Sequence, residues 1–218
     1  MTEQEVYKKI RPLLGGYTEG LYWDFKSSLC DTGDIIRDIL AFSNSNHEED
    51  SYLIIGVGEP SNPSEDTKIQ LSTEDRRRLN TDANYLYLPG TWDVNGLSAN
   101  DIETMKQFSA KLTQTLACSM LISQPKCEFY PISIRKNLWL YVIIIKHVPG
   151  VFISKKDIPK ERNNERIAVK QGVLYIRIAD TTSIGTETQV ASATEHIRVW
   201  KKYLDWLNRD GTLGERIY

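Results

Sequence analysis

Glu19-Gly20-Leu21-Tyr22-Trp23-Asp24-Phe25-Lys26, followed by Ala41-Phe42-Ser43-Asn44 and then by Tyr52-Leu53-Ile54-Ile55-Gly56-Val57, sets the reading of this chain. Leu21, Trp23 and Phe25 alternate with Tyr22, Asp24 and Lys26, the two-residue period of a half-buried strand. Its apolar face packs inward, and Asp24 and Lys26 share the other face with Tyr22. Asp31 or Thr32 is placed to cap a helix over residues 34–44, with Ile35, Ile36, Ile39, Leu40 and Ala41 as its buried stripe. The polar run 44–51 is a loop, and residues 52–57 are a buried strand. Glu59 stands just past that strand.

Outward from this block, Val6, Ile10, Leu13 and Leu14 have helical spacing, and Gly15-Gly16 stops that helix. Residues 58–70 read as a loop, 72–80 as a short basic helix, and 81–95 as an aperiodic surface insertion. Ser98 or Asn100 caps a helix over 101–119, with Met105, Phe108, Leu112 and Leu116 inward. Residues 127–134 and 138–146 form a hairpin turning at Arg135-Lys136-Asn137. The second of these strands is too continuously apolar for a sheet edge and belongs at the centre. Residues 154–166 are a charged loop. Residues 168–170 and 173–178 suggest a hairpin turning at Gln171-Gly172, and 188–208 a final helix. No internal repeat is visible.

The 218 residues are 40% hydrophobic, enough for one good core. The expected fold is a single α+β domain, a mixed, mainly antiparallel sheet flanked by helices. An N-terminal helix (1–16) precedes the domain (17–207), and a tail (208–218) follows. The net charge is −2 and the pI about 6.0, so any nucleic-acid binding has to come from a local basic patch. Cys30, Cys118 and Cys127 lack metal-ligand spacing, which excludes zinc and suits free thiols in a reducing compartment. With no apolar run near the ~20 residues of a membrane span and no signal-peptide core at the start, a cytoplasmic protein is expected.

The order acid, four residues, acid-Phe-Lys, then Ala-Phe-x-Asn, then Ile-Gly-Val resembles the Schlafen AlbA_2 family, over residues 17–206. Members bind nucleic acid, and some are metal-dependent endoribonucleases that cut tRNA and rRNA. Their catalytic triad is two Glu in the first element and an Asp past the Ile-Gly-Val strand. The matching positions here carry Glu19, Asp24 and Glu59, with Asp replacing Glu at 24 and Glu replacing Asp at 59. A usual Gly-Gly pair before the strand is replaced by Asn46-His47-Glu48-Glu49-Asp50. By themselves the three acids are also what an ordinary protein surface carries. Glu19 can approach Asp24 only from a turn ahead of the strand, and Gly20 permits one. By resemblance they would bind Mg²⁺ or Mn²⁺, and Lys26 would steady the scissile phosphate.

Lys155, Lys156, Lys160, Arg162, Arg166 and Lys170 make a basic loop that is either solvated surface or a phosphate-binding strap. The family's Tyr-x-Arg strand is matched by Tyr175 and Arg177, which would hold a phosphate and stack on a base. The function implied is a metal-dependent endoribonuclease cleaving structured RNA, tRNA first, in a growth-arrest or antiviral role. The alternative is a non-catalytic DNA- or RNA-binding module of a regulatory or defence system. His47, His147 and His196 share no motif. Trp200, Tyr203 and Trp206 on the last helix either pack on the core or form the seam of a homodimer.

Overall fold

A computed structural model describes residues 1–28, 31–59, 65–94, 96–161, 166–180 and 185–209. The two most apolar segments become the two inner strands. β2 (Ser51–Ile55) and β6 (Leu138–Ile145) pair antiparallel at the centre of a four-stranded sheet ordered β1-β2-β6-β5. β1 (Trp23–Lys26) runs parallel to β2 along one edge, and β5 (Cys127–Arg135) runs antiparallel to β6 along the other. The sheet is mixed and the additional strand pairs are all antiparallel, as expected of an α+β domain.

Both faces of the sheet are covered, which is why β2 and β6 carry no polar alternation. Tyr52, Ile54, Leu140, Val142 and Ile144 pack with α1 (Glu3–Leu14), with Leu79 of α3 (Thr73–Leu79), and with β3 (Thr67–Gln70) and β4 (Tyr85–Leu88). Leu53, Ile55, Tyr141, Ile143 and Ile145 pack with α2 (Thr32–Asn44) and α4 (Ala99–Ser119) on the other face. Helix starts are set by side chains accepting orphan N–H groups. Asp31 accepts from Gly33 N at the start of α2, and Ser98 and Asp101 form a capping box on α4.

β7 (Ile158–Pro159) and β8 (Ile167–Val169) pair with each other against α2. β9 (Tyr175–Asp180) and β10 (Gly185–Val190) form a C-terminal hairpin, and α5 (Ala193–Arg209) ends the described chain. β9 has two different faces. Leu174 and Ile176 join Val151, Ile153, Ala191 and Val199 in a small separate cluster, whereas Tyr175 enters the core beside α2. Tyr203 packs against the small cluster, Trp200 is exposed, and Tyr203 stacks on Trp206. The aromatic stripe therefore divides between packing and surface.

Three expectations are corrected. Residues 67–70 and 85–88, read as loop and insertion, pair as β3 and β4, closing the α1 face with Ile69, Leu86 and Leu88. Residues 168–170 do not pair with 173–178; β8 pairs with β7, and β9 with β10. The last helix starts at Ala193, because residues 185–190 are a strand.

Asn44 shows how the C-terminal part is fixed to α2. Its Nδ2 donates to Phe152 O at 2.9 Å and Tyr175 O at 3.0 Å, and its Oδ1 accepts from Phe152 N at 3.0 Å. Ser45 continues the seam, its Oγ accepting from Arg177 N at 3.0 Å. Asn44→Ala would leave three buried backbone groups unpaired, so a loss on the order of 3 kcal/mol is expected in urea unfolding. A loss within error would show that the amide is dispensable.

Candidate functional site

The bend that the residues before β1 require is present. Gly20 N donates to Trp23 O at 3.2 Å, and a Cβ on Gly20 would lie 2.0 Å from the Trp23 ring. The turn swings Glu19 back so that its Oε1 accepts the Phe25 N–H at 2.8 Å, at the free edge of β1. Asp24 projects from the β1 face turned toward α2 and β9, and is only 3% exposed.

Its charge is met from two sides. Lys26 Nζ lies 2.6 Å from Asp24 Oδ2 and 3.1 Å from Asp38 Oδ2. Arg177, on β9, donates from Nη2 to Asp24 Oδ1 at 2.8 Å and to Glu19 Oε2 at 3.3 Å. Its Nε donates to Gly20 O at 3.3 Å, and its guanidinium carbon sits 4.7 Å from the centre of the Phe42 ring. Asp38 also accepts from Thr188 Oγ1 at 3.0 Å. Three acids and two cations thus converge where β1, α2 and the C-terminal hairpin meet.

The proton balance follows from that geometry. Burial, and then the hydrogen bond and negative charge of Asp24, push the Glu19 carboxyl up to about 8. Burial opposes ionisation of Asp24 too, but Lys26 and Arg177 outweigh it and hold its carboxyl below the ordinary range. Burial likewise disfavours the Lys26 charge, and Asp38 and Asp24 reverse that, so its ammonium holds its proton more tightly than usual. The shift favours the protonated form of Glu19 beside the charged Asp24.

The structure brings Glu19, Asp24 and Lys26 together. Glu59 is exposed beyond the turn that ends β2. In that turn Gly56, at φ +107°, has left-handed backbone geometry that suits glycine, and its N–H donates to Lys26 O at 2.8 Å. Among the described residues no three His, Cys, Asp or Glu side chains are grouped to hold a metal ion. The oxygens of Glu19 and Asp24 are engaged by Arg177, Lys26 and the Phe25 N–H, so as folded the pair does not fit Mg²⁺ or Mn²⁺.

Tyr175 and Arg177 are placed differently from the sequence expectation. Tyr175 is buried, its hydroxyl accepting from Lys170 N at 3.0 Å, so its ring is not presented for stacking. The Arg177 side chain is 2% exposed and faces carboxylates rather than solvent. The physical reason is β9's docking on α2, which covers the strand face carrying both. In the basic loop, Lys155, Lys156, Arg166 and Lys170 are exposed, Lys160 pairs with Asp34 at 2.7 Å, and Arg162 lies outside the described residues. Asp38 and Ser45 were not singled out from sequence, and Phe42 was noted only as part of the Ala-Phe-x-Asn motif, with no part in the acid cluster. An acid set among Ile35, Ile36, Ile39 and Leu40 was the available signal for Asp38.

Glu19→Gln tests the proton balance. The folded carboxyl titrates near 8 and an unfolded one near ~4.3, so folding takes up a proton between those values. The Glu19 contribution to stability therefore falls as pH rises through that window and levels off above it. Melting temperatures measured from pH 5 to pH 9 should show wild type losing ground to Glu19→Gln across the window. A constant difference would mean that Glu19 is ionised in the fold. Asp24→Ala leaves Arg177 and Lys26 without their shared partner, and a loss of ~3–5 kcal/mol is expected in urea unfolding.

No helix among the described residues is long and apolar enough to cross a membrane. A search of curated proteins found no match. A family model, Schlafen, AlbA_2, matches residues 19–184, from the first acid of the cluster to just past the strand that carries Arg177. Covering well over half of the 218 residues, that match shows that the chain belongs to the Schlafen AlbA_2 family.

Proposed function

We propose that this protein binds RNA through the basic loop of residues 155–170. The family points to a nucleic-acid-related function. The observation that carries the reading is where the loop sits. Lys160 meets Asp34 in the first turn of α2, and one turn on, Asp38 meets Lys26 beside Asp24. The exposed cations Lys155, Lys156, Arg166 and Lys170 thus belong to a segment seated on the same helix as the acid cluster. Phosphates are attracted to such a segment, and binding through it weakens steeply with salt.

Two cations of the short helix α3 are already engaged. Arg78 is engaged by Glu3 and Asp75, and Arg76 by Asn84. Replacing Lys155, Lys156 and Arg166 by Glu should weaken tRNA binding at least tenfold, roughly the effect of ~1.4 kcal/mol, and flatten the dependence of affinity on salt. An unchanged salt slope would return the loop to plain solvated surface.

A second reading, metal-dependent cleavage of structured RNA with tRNA as first substrate, is favoured by one observation. Glu19 and Asp24 lie side by side, and Glu59 follows a turn whose Gly58 packs against Ser27, just past β1; this reading requires Arg177 and Lys26 to release the oxygens they hold as folded. Incubating the protein with tRNA and Mn²⁺ or Mg²⁺, with and without EDTA, separates the two. Cleavage abolished by EDTA and by Asp24→Asn or Glu59→Gln supports an endoribonuclease. Binding without cleavage leaves the RNA-binding module.

A further inference from the structure

We propose that Arg177 is the resident counter-cation of the Glu19–Asp24 pair, and that its guanidinium fills the position a divalent ion would otherwise take. Four oxygens converge on this one side chain. Two are carboxylate oxygens, Asp24 Oδ1 at 2.8 Å and Glu19 Oε2 at 3.3 Å. Two are carbonyl oxygens, Gly20 O at 3.3 Å and Trp23 O at 3.4 Å. Carboxylate and carbonyl oxygens are the donors that hard divalent cations select. Here a planar guanidinium with several N–H donors satisfies them instead.

Three features make Arg177 a fixture and not a passing contact. Its side chain is 2% exposed and that of Asp24 4% exposed, so water does not compete for the pair. Phe42 lies under the guanidinium at 4.7 Å and adds a cation–π contact. The Arg177 backbone is pinned as well, since its N–H donates to Ser45 Oγ at 3.0 Å. Lys26 takes the remaining oxygen of Asp24. A cation entering between Glu19 and Asp24 would face the positive charge of both Arg177 and Lys26 at close range. Arg177 is therefore a positioning residue, holding the two acids in register by its own charge.

The proposal does not depend on RNA binding or cleavage, and its test uses neither. Mn²⁺ uptake by the protein alone is read from the electron paramagnetic resonance signal of free Mn²⁺. Wild type is expected to take up no Mn²⁺ that Glu19→Gln or Asp24→Asn removes. Arg177→Gln, checked for folding by circular dichroism, is expected to bind Mn²⁺ at least roughly tenfold more tightly than wild type, because a neutral amide replaces the competing charge. Adding Asp24→Asn should abolish that gain, which mere loosening of the fold would not predict. Wild type taking up one equivalent that depends on Glu19 and Asp24 overturns the proposal. So does a folded Arg177→Gln protein that binds no more Mn²⁺ than wild type. If Arg177→Gln does not fold, the wild-type measurement decides alone.

Discussion

Asp24 is a carboxylate almost wholly removed from water, and a buried charge persists only if it is paired. Its partners come from different parts of the chain. Lys26 lies two residues on along β1, and Arg177 lies on β9, 153 residues away. Pairing therefore fixes where the C-terminal hairpin rests. Losing either cation would strand a charge in a low-dielectric setting, which is much costlier than losing a surface ion pair. The seating of β9 on α2 and the burial of Tyr175 go together with this pairing.

The family's short motifs have distinct physical jobs in this chain. Gly20 permits the turn that returns Glu19 to the edge of β1, and Gly56 takes the positive φ that ends β2. Phe42 supplies the ring beneath Arg177, while Asn44 joins two segments that share no ladder with α2. Motif residues around an acid pair are easily assigned to chemistry. Here several of them hold the pair together, and the exposed cations Lys155, Lys156, Arg166 and Lys170 lie outside it.

Much of the fold was legible because its causes are local. Continuous apolar runs announced β2 and β6 as inner strands, since a sheet covered on both faces admits no polar alternation. Asp31 and Ser98 announced helix starts through the N–H groups they satisfy. Asn137, with φ 63°, sits in the turn read between β5 and β6. The missed strands had no such local cause. Gly185-Thr186-Glu187-Thr188-Gln189-Val190 is polar, and Val190 fits the helical spacing of Ala193 and Ile197, so the helix reading ran back over β10.

The sequence by itself determined the element types at the core and the single mixed sheet, and it permitted Glu19 to approach Asp24 across a glycine turn. These depend on periodicity, capping and chain reach over a few residues. Only the tertiary structure decided which cation meets the acids. Tyr175 and Arg177 alternate in a way that equally suits an exposed strand and one docked on a helix. The docking of β9 on α2 turns Arg177 inward, where the buried charge of Asp24, beside Glu19, takes it as a counter-charge.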